Sequence, residues 1–132
     1  MKSPTILLVD DDASLLENVK RLLERNGYHV AKACRAREAA KAIGEESYDL
    51  LLTDALFPGR RSIEAVIDLG KRRIATPIIA MNSLGRHLPD YYLTLTRKLG
   101  VGRIIAKPFG EEELLATIEE VWLKADRTNW NN

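Results

Sequence analysis

The sequence has a single cysteine, no long apolar run and no excess of charge of either sign. Lys and Arg number 20 and Asp and Glu 19, so no basic surface for direct nucleic-acid binding is indicated. Cys34 alone cannot form an internal disulfide, which favours a reducing cytoplasm. No run approaches the ~20 apolar residues of a membrane helix, and the start, MKSPTILLVDDD, lacks the apolar length of a signal peptide. We therefore expect a cytoplasmic protein that has no membrane span.

The length and composition favour one folded domain. The chain has 132 residues, of which 45% are hydrophobic and 30% charged, and both values are ordinary for a globular protein. We expect a domain over residues 1–125 and a disordered polar tail over residues 126–132.

Short apolar runs alternate with segments whose apolar residues recur at helical spacing. The predicted strands are Thr5–Val9, Tyr28–Ala33, Leu50–Thr53, Pro77–Met81 and Gly102–Ala106. The predicted helices are Ala13–Asn26, Ala36–Gly44, about Ile63–Gly70, Leu88–Leu99 and Glu111–Lys124. Repeated alternation of strand and helix predicts an α/β fold, a doubly wound parallel sheet with helices on both faces.

Polar residues follow the predicted strands at the ends where such sheets bind ligands. Asp10–Asp12 follow the first strand, Asp54 the third, Asn82 and Ser83 the fourth, and Lys107 the fifth. Taken singly, each has an ordinary interpretation, such as a helix cap or a turn residue. Their joint occurrence at one edge of the sheet indicates a site.

The residue types indicate phosphoryl chemistry. Converging carboxylates repel one another, and a hard divalent cation such as Mg²⁺ relieves that repulsion. The ammonium of Lys107 supplies a point charge for phosphoryl oxygens. Asp54 is then a candidate nucleophile that forms an acyl phosphate, with the metal and Lys107 offsetting charge on the transferring group.

Four segments carry a resemblance to a known family. ILLVDDDASLLENV, YDLLLTDALFP, TPIIAM and IIAKPF occur in the order and at the separations of the receiver domain of bacterial response regulators. The chain resembles that family from about Thr5 to Lys124. The resemblance implies a flavodoxin-like sheet of strand order 2-1-3-4-5 with five helices.

The resemblance also implies roles for individual residues. Asp11 would bind Mg²⁺ directly and Asp10 through water, and the backbone carbonyl of Leu56 would be a further ligand. Asp54 would be the phosphoacceptor and also a metal ligand. Lys107 resembles the lysine that assists phosphoryl transfer in this family.

The implied partner is a sensor histidine kinase or a histidine phosphotransfer protein that donates the phosphoryl group. The resemblance further implies a cis bond between Lys107 and Pro108, which proline commonly permits. A homodimer through the predicted fourth helix, fifth strand and fifth helix is a further expectation.

The sequence departs from the family at its switch positions. The hydroxyl residue expected after the fourth strand aligns with Asn82, although a one-residue adjustment would present Ser83 instead. The aromatic switch residue aligns with Ile104, which cannot rotate a polar tip inward and outward. After Asp54, FPGRRS replaces the usual turn. We therefore expect phosphorylation to be retained and its relay to be altered.

Two alternatives compete with this interpretation. The departures favour a receiver-like interaction module that is no longer phosphorylated. The DDD run also admits a Mg²⁺-dependent phosphatase with an aspartate nucleophile, but 132 residues leave little room for a substrate-binding cap.

Overall fold

The computed structural model describes residues 4–54, 76–82 and 101–129. The third and fourth helices predicted from the sequence lie outside these residues, as do Leu56 and Ser83. None of the helices in the described part is long and apolar enough to cross a membrane.

The described residues form one parallel sheet with helices on both faces. The sheet order is β2-β1-β3-β4-β5, which confirms the predicted fold class and strand order. The strands are β1 (Thr5–Val9), β2 (His29–Ala33), β3 (Leu50–Asp54), β4 (Ile78–Asn82) and β5 (Val101–Ala106). The helices are α1 (Ala13–Arg25), α2 (Ala36–Glu45) and the C-terminal helix (Glu111–Asn129).

Helix α1 is bounded by residues that favour helix ends, an aspartate before it and a glycine after it. The Asp12 carboxylate accepts the backbone N–H groups of Ser14 and Leu15 at 3.0 and 3.2 Å, which satisfies donors that have no partner within the helix. Gly27 follows the helix with φ of 90°, a conformation that residues with a Cβ rarely adopt. Asp12 therefore fixes where α1 starts after β1, and Gly27 fixes where the chain leaves the helix.

The core consists of two apolar clusters, one on each face of the sheet. On one face, Leu8 and Leu52 pack with residues of α1 and the C-terminal helix such as Leu16 and Ile118. On the other face, α2 covers a smaller cluster that includes Val9 and Leu51. Strands buried on both faces are expected to be continuous apolar runs, and the buried apolar runs of β1, β3 and β4 are Ile6–Val9, Leu50–Leu52 and Ile78–Met81.

The C-terminal helix is longer than the sequence analysis predicts. It runs to Asn129, whereas the prediction ended at Lys124 and assigned residues 126–132 to a disordered tail. The helix continues through residues 126–129 because the segment after Lys124 contains no glycine or proline that would stop it, and the domain boundary at residue 125 stays a prediction. Residues 130–132 lie outside the described part.

Replacing Leu52 with alanine should lower the free energy of unfolding by about 2–5 kcal/mol. Leu52 is 0% exposed in the centre of the sheet, so the change leaves a cavity that its neighbours fill only partly. The matched control is Leu123→Ala on the C-terminal helix, where the side chain is 53% exposed and the change should be within about 0.5 kcal/mol. Urea unfolding of both variants measures the difference, and equal effects would contradict the assigned core.

Candidate functional site

The parallel register brings the ends of four strands to one edge of the sheet. Val9 pairs with Thr53, so Asp10 and Asp54 follow neighbouring positions on β1 and β3. Asn82 is the last residue of β4 and pairs with Ala106, which immediately precedes Lys107. The predicted site residues within the described part therefore converge at this edge, apart from Ile104, which lies lower on β5.

Three carboxylates form the acidic part of the site. Ligand oxygens of Asp10, Asp11 and Asp54 lie within 4.8 Å of one another. Asp10 and Asp54 are buried, while Asp11 is exposed. Buried carboxylates at this separation need a cation, and an all-oxygen donor set with one side open to water fits Mg²⁺. These three residues can therefore hold a metal ion.

Lys107 supplies a positive charge beside the acids. Its Nζ lies 2.6 Å from Asp10 Oδ2 and 3.6 Å from Asp54 Oδ1. Burial of the ammonium lowers the pKa of Lys107, but the hydrogen bond to Asp10 and the charges of both acids outweigh that effect and raise the pKa above its ordinary value. Lys107 is therefore a cation at neutral pH, bonded more closely to Asp10 than to Asp54.

The second oxygen of Asp10 is also bonded. The backbone N–H of Asp12 donates to Asp10 Oδ1 at 2.9 Å, while the Asp12 carboxylate caps α1. Helix capping is the ordinary interpretation of Asp12 that the sequence offers, and the structure shows that cap, whereas the contact of the Asp12 backbone with Asp10 was not predicted. No residue-type pattern encodes it, because any residue except proline at position 12 presents the same N–H group.

Asn82 and Ile104, the two residues that the resemblance aligns with the family's switch positions, lie on adjacent strands. Asn82 is 2% exposed, and its backbone carbonyl accepts the N–H of Lys107 at 2.7 Å. Ile104 is half-buried and pairs with Ala80, two residues before Asn82. Side chains alternate along a strand, so Asn82, Ala80 and Ile104 belong to the same face of the sheet.

The turn after β5 is built as the sequence predicts. The peptide bond between Lys107 and Pro108 is cis. This turn and the start of α1 enclose an open groove of about 470 Å³, with Leu15, Val19 and Phe109 among its lining residues. Lys107 also lines the groove. No motif in the sequence indicates this groove.

Cys34 lies near the end of β2 and does not have the character of a nucleophile. Its Sγ donates a hydrogen bond to Glu38 Oε1 at 3.0 Å. That bond and partial burial raise the pKa of the thiol, which keeps it protonated and unreactive at neutral pH.

A five-stranded parallel sheet with acids and a lysine at its carboxyl edge defines a class of receiver-like proteins. A model of the response regulator receiver domain family matches residues 6–119. The chain therefore belongs to the response regulator receiver family, as the four sequence segments predicted.

Curated relatives and a solved structure agree with this assignment. The chain is 36% identical over 126 residues to the transcriptional regulatory protein CpxR of Klebsiella pneumoniae and 30% identical over 127 residues to the transcriptional regulatory protein ResD of Bacillus subtilis. Each match covers 96% of this chain but 51% of the relative, so the chain spans about half the length of these relatives. A CheY-like receiver domain from Methanospirillum hungatei superposes with a TM-score of 0.86 at 27% identity, covering 96% of this chain and 98% of the other.

The chain is thus a response regulator receiver domain of two-component signal transduction, homologous to regulators such as CpxR and ResD. Receiver domains of this kind are phosphorylated by histidine kinases and bind Mg²⁺ at an acidic pocket.

Proposed function

We propose that Asp54 of this chain accepts a phosphoryl group from a histidine kinase or a histidine phosphotransfer protein in a Mg²⁺-dependent reaction. The observation that carries the proposal is the grouping of three carboxylates within 4.8 Å beside the ammonium of Lys107. In this proposal the domain signals by a conformational change in the cytoplasm and is not itself an enzyme with a small-molecule substrate.

The chemistry assigns one task to each residue. An Asp54 oxygen attacks phosphorus, the bond to the donor imidazole nitrogen breaks, and its electron pair leaves with the imidazole. Lys107 offsets negative charge on the phosphoryl oxygens. Asp10, Asp11, Asp54 and the carbonyl of Leu56, which lies outside the described residues, are the proposed Mg²⁺ ligands. Bound Mg²⁺ supplies further positive charge to the transferring group.

Asp10 is poorly placed for the alternative of a phosphatase that uses an acid of the first strand as nucleophile. It is 0% exposed, and its two oxygens are bonded to the Asp12 N–H and to Lys107. Asp54 instead ends its strand, and its Oδ1 lies 3.6 Å from Lys107 Nζ. Its contact with the ammonium is therefore weaker than that of Asp10 at 2.6 Å. The arrangement favours Asp54 as the acceptor.

Asn82 supports a second candidate function, a receiver that acts as an interaction module without phosphorylation. A buried asparagine stands where the family has a hydroxyl group, and Ser83, the other candidate for that position, lies outside the described residues. An amide differs from a hydroxyl in length and in its planar end. Phosphorylation of the purified protein separates the two candidates.

We expect the wild-type protein to gain the mass of one phosphoryl group when incubated with acetyl phosphate and Mg²⁺, and to gain none when EDTA removes the metal. Intact-protein mass spectrometry measures both. The metal requirement follows from the acid cluster, since an incoming phosphoryl group adds negative charge to three carboxylates that Lys107 alone does not neutralise. Absence of an adduct with Mg²⁺ present, both from acetyl phosphate and from a cognate kinase, would favour the interaction module.

Partner surfaces follow from the same proposal. The phosphoryl donor must reach the edge that carries Asp54 and Lys107. A homodimer through the predicted fourth helix, β5 and the C-terminal helix remains a prediction, because the fourth helix lies outside the described residues. Direct nucleic-acid binding by this chain is not proposed, in keeping with its net charge of +1.

A further inference from the structure

Strand β2 forms one edge of the sheet. Within the part of the chain that the structure describes, β2 pairs with β1 and with no other strand. The His29 N–H and the Ala33 carbonyl are hydrogen-bonded at 2.9 and 3.2 Å to residues that flank β1. Because the backbone groups of alternate residues point to the same side of a parallel strand, the N–H and C=O groups of Val30 and Lys32 lie on the outward side.

The side chain of Lys32 lies toward α1. A lysine on an edge strand commonly discourages pairing with another chain, because its charge stays in water beside the unpaired backbone groups. In this structure Lys32 Nζ lies 2.8 Å from Oε2 of Glu17 on α1, so Glu17 holds the ammonium over one face of the sheet. The outward backbone groups of Val30 and Lys32 are therefore available to a further strand.

The surface around this edge is basic. Residues 29–43 contain one acid and four exposed cations, namely Lys32, Arg35, Arg37 and Lys41. The acid, Glu38, accepts a hydrogen bond from the Cys34 thiol. Arg35, Arg37 and Lys41 form no ion pair with any residue that the structure describes. Since the whole chain has a net charge of only +1, positive charge is concentrated here and would attract an acidic partner.

Arg35 continues the edge beyond the last residue of β2. Its backbone is extended, with φ of −135° and ψ of 151°, and its side chain makes no capping hydrogen bond to α2. A guanidinium group binds a carboxylate through two parallel hydrogen bonds. A strand that lies along β2 would therefore meet a cation able to bind a glutamate or aspartate side chain at its end.

We propose that the outward edge of β2 binds an extended acidic segment of a partner protein, which joins the sheet as a further strand. Hydrogen bonds to the backbone of Val30 and Lys32 supply affinity, and Arg35 with the neighbouring cations selects for acidic side chains. A second copy of this chain fits poorly, because two basic edges repel each other. The inference goes beyond the proposed function, since this edge is formed by β2 and needs neither the phosphoryl group nor the metal.

Two synthetic peptides of equal charge test strand addition on the wild-type protein. In the first, glutamates alternate with threonines, which favour extended structure; in the second, prolines replace the threonines and remove their N–H donors. At saturation the threonine peptide should slow amide hydrogen exchange of Val30 and Lys32 at least about tenfold. The amides of His29, Ala31 and Ala33, which face β1, should change less than about twofold. The proline peptide should slow none of them, and two-dimensional NMR measures each amide.

A charge-reversal variant tests the basic surface. Arg35→Glu combined with Arg37→Glu should weaken binding of the threonine peptide at least about tenfold, because both side chains are exposed and would then repel its glutamates. The matched control is Lys124→Glu on the C-terminal helix, where the side chain is 76% exposed and the affinity should change less than about twofold. Isothermal titration of each protein with the peptide measures the affinities.

Four results would overturn the proposal. Equal binding of the threonine and proline peptides would show that charge alone accounts for the interaction. Absence of binding at about 1 mM threonine peptide would remove the acidic partner. Tighter binding of a single-stranded oligothymidylate at the same residues would assign the basic surface to nucleic acid. A dimer of the free protein that protects the amides of Val30 and Lys32 would assign the edge to a second copy of the chain.

Discussion

Asp54→Asn protein incubated with acetyl phosphate and Mg²⁺ is expected to carry no phosphoryl group, a loss of at least ~100-fold relative to the wild type. An amide oxygen is a far weaker nucleophile than a carboxylate oxygen, and the other groups of the site cannot replace it. Asn is close to Asp in shape, so the change removes the charge and leaves the packing of the end of β3 intact. Intact-protein mass spectrometry measures the adduct.

The control for this prediction is the neighbouring acid Asp12. Asp12→Asn preserves the N-cap of α1, since asparagine caps as well as aspartate, and it preserves the backbone N–H that holds Asp10. We expect this variant to be phosphorylated like the wild type. Retention of the phosphoryl group by Asp54→Asn, or its loss from Asp12→Asn, would show that the acceptor has been assigned to the wrong strand end.

Asp54→Asn is not expected to lower the free energy of unfolding. Asp54 is 5% exposed and shares the site with Asp10 and Asp11, whose like charges oppose one another. Removing one of three acids lowers that repulsion, so urea unfolding should give a free energy no smaller than that of the wild type. A lost adduct therefore reports lost chemistry and not a lost fold.

The edge of the sheet where the site lies could be predicted because buried parallel strands are easily recognised in a sequence as short apolar runs. LLLTD in β3 is an apolar run that ends in one acid, and a buried acid at the end of such a run is costly unless it has partners. The same reasoning placed Asp10 and Lys107. Strand bounds differ from the predictions by at most one residue at either end, since turns and polar residues flank each run.

The partner of Lys107 could not be predicted in the same way. Lys107 and Asp10 are 97 residues apart, and the choice between Asp10 at 2.6 Å and Asp54 at 3.6 Å depends on torsion angles within the turn and side chain. Spacing and residue type specify which groups reach the edge of the sheet. They do not specify which oxygen an ammonium contacts there.

The C-terminal helix illustrates a different limit. The predicted end of this helix at Lys124 lies where the composition becomes polar, but polarity alone does not stop a helix. The segment of residues 125–129 contains neither glycine nor proline, and the helix continues to Asn129. Stop signals are therefore better evidence of a helix end than composition.

The departures at Asn82 and Ile104 concern one face of the sheet. Asn82 ends β4, and Ile104 pairs with Ala80 two residues earlier, so the two positions that the resemblance aligns with the family's switch residues are diagonal neighbours. A hydroxyl group at the first and a polar-tipped aromatic ring at the second would form a chain of contacts from the edge of the sheet to β5. Asparagine and isoleucine cannot form that chain, because the amide has a different reach and the isoleucine has no polar tip.

We expect beryllofluoride and Mg²⁺ to perturb the wild-type amide resonances near Asp54 and Lys107 but to leave those of β5 below Ile104 and of the C-terminal helix nearly unchanged. The double variant Asn82→Thr with Ile104→Tyr should extend the perturbation along both elements, and either single variant should not, since each restores only half of the chain of contacts. Two-dimensional NMR of the four proteins measures this, with Asp54→Asn in the double variant as the control that should show no response. Large shifts over β5 and the C-terminal helix in the wild type would contradict the altered relay.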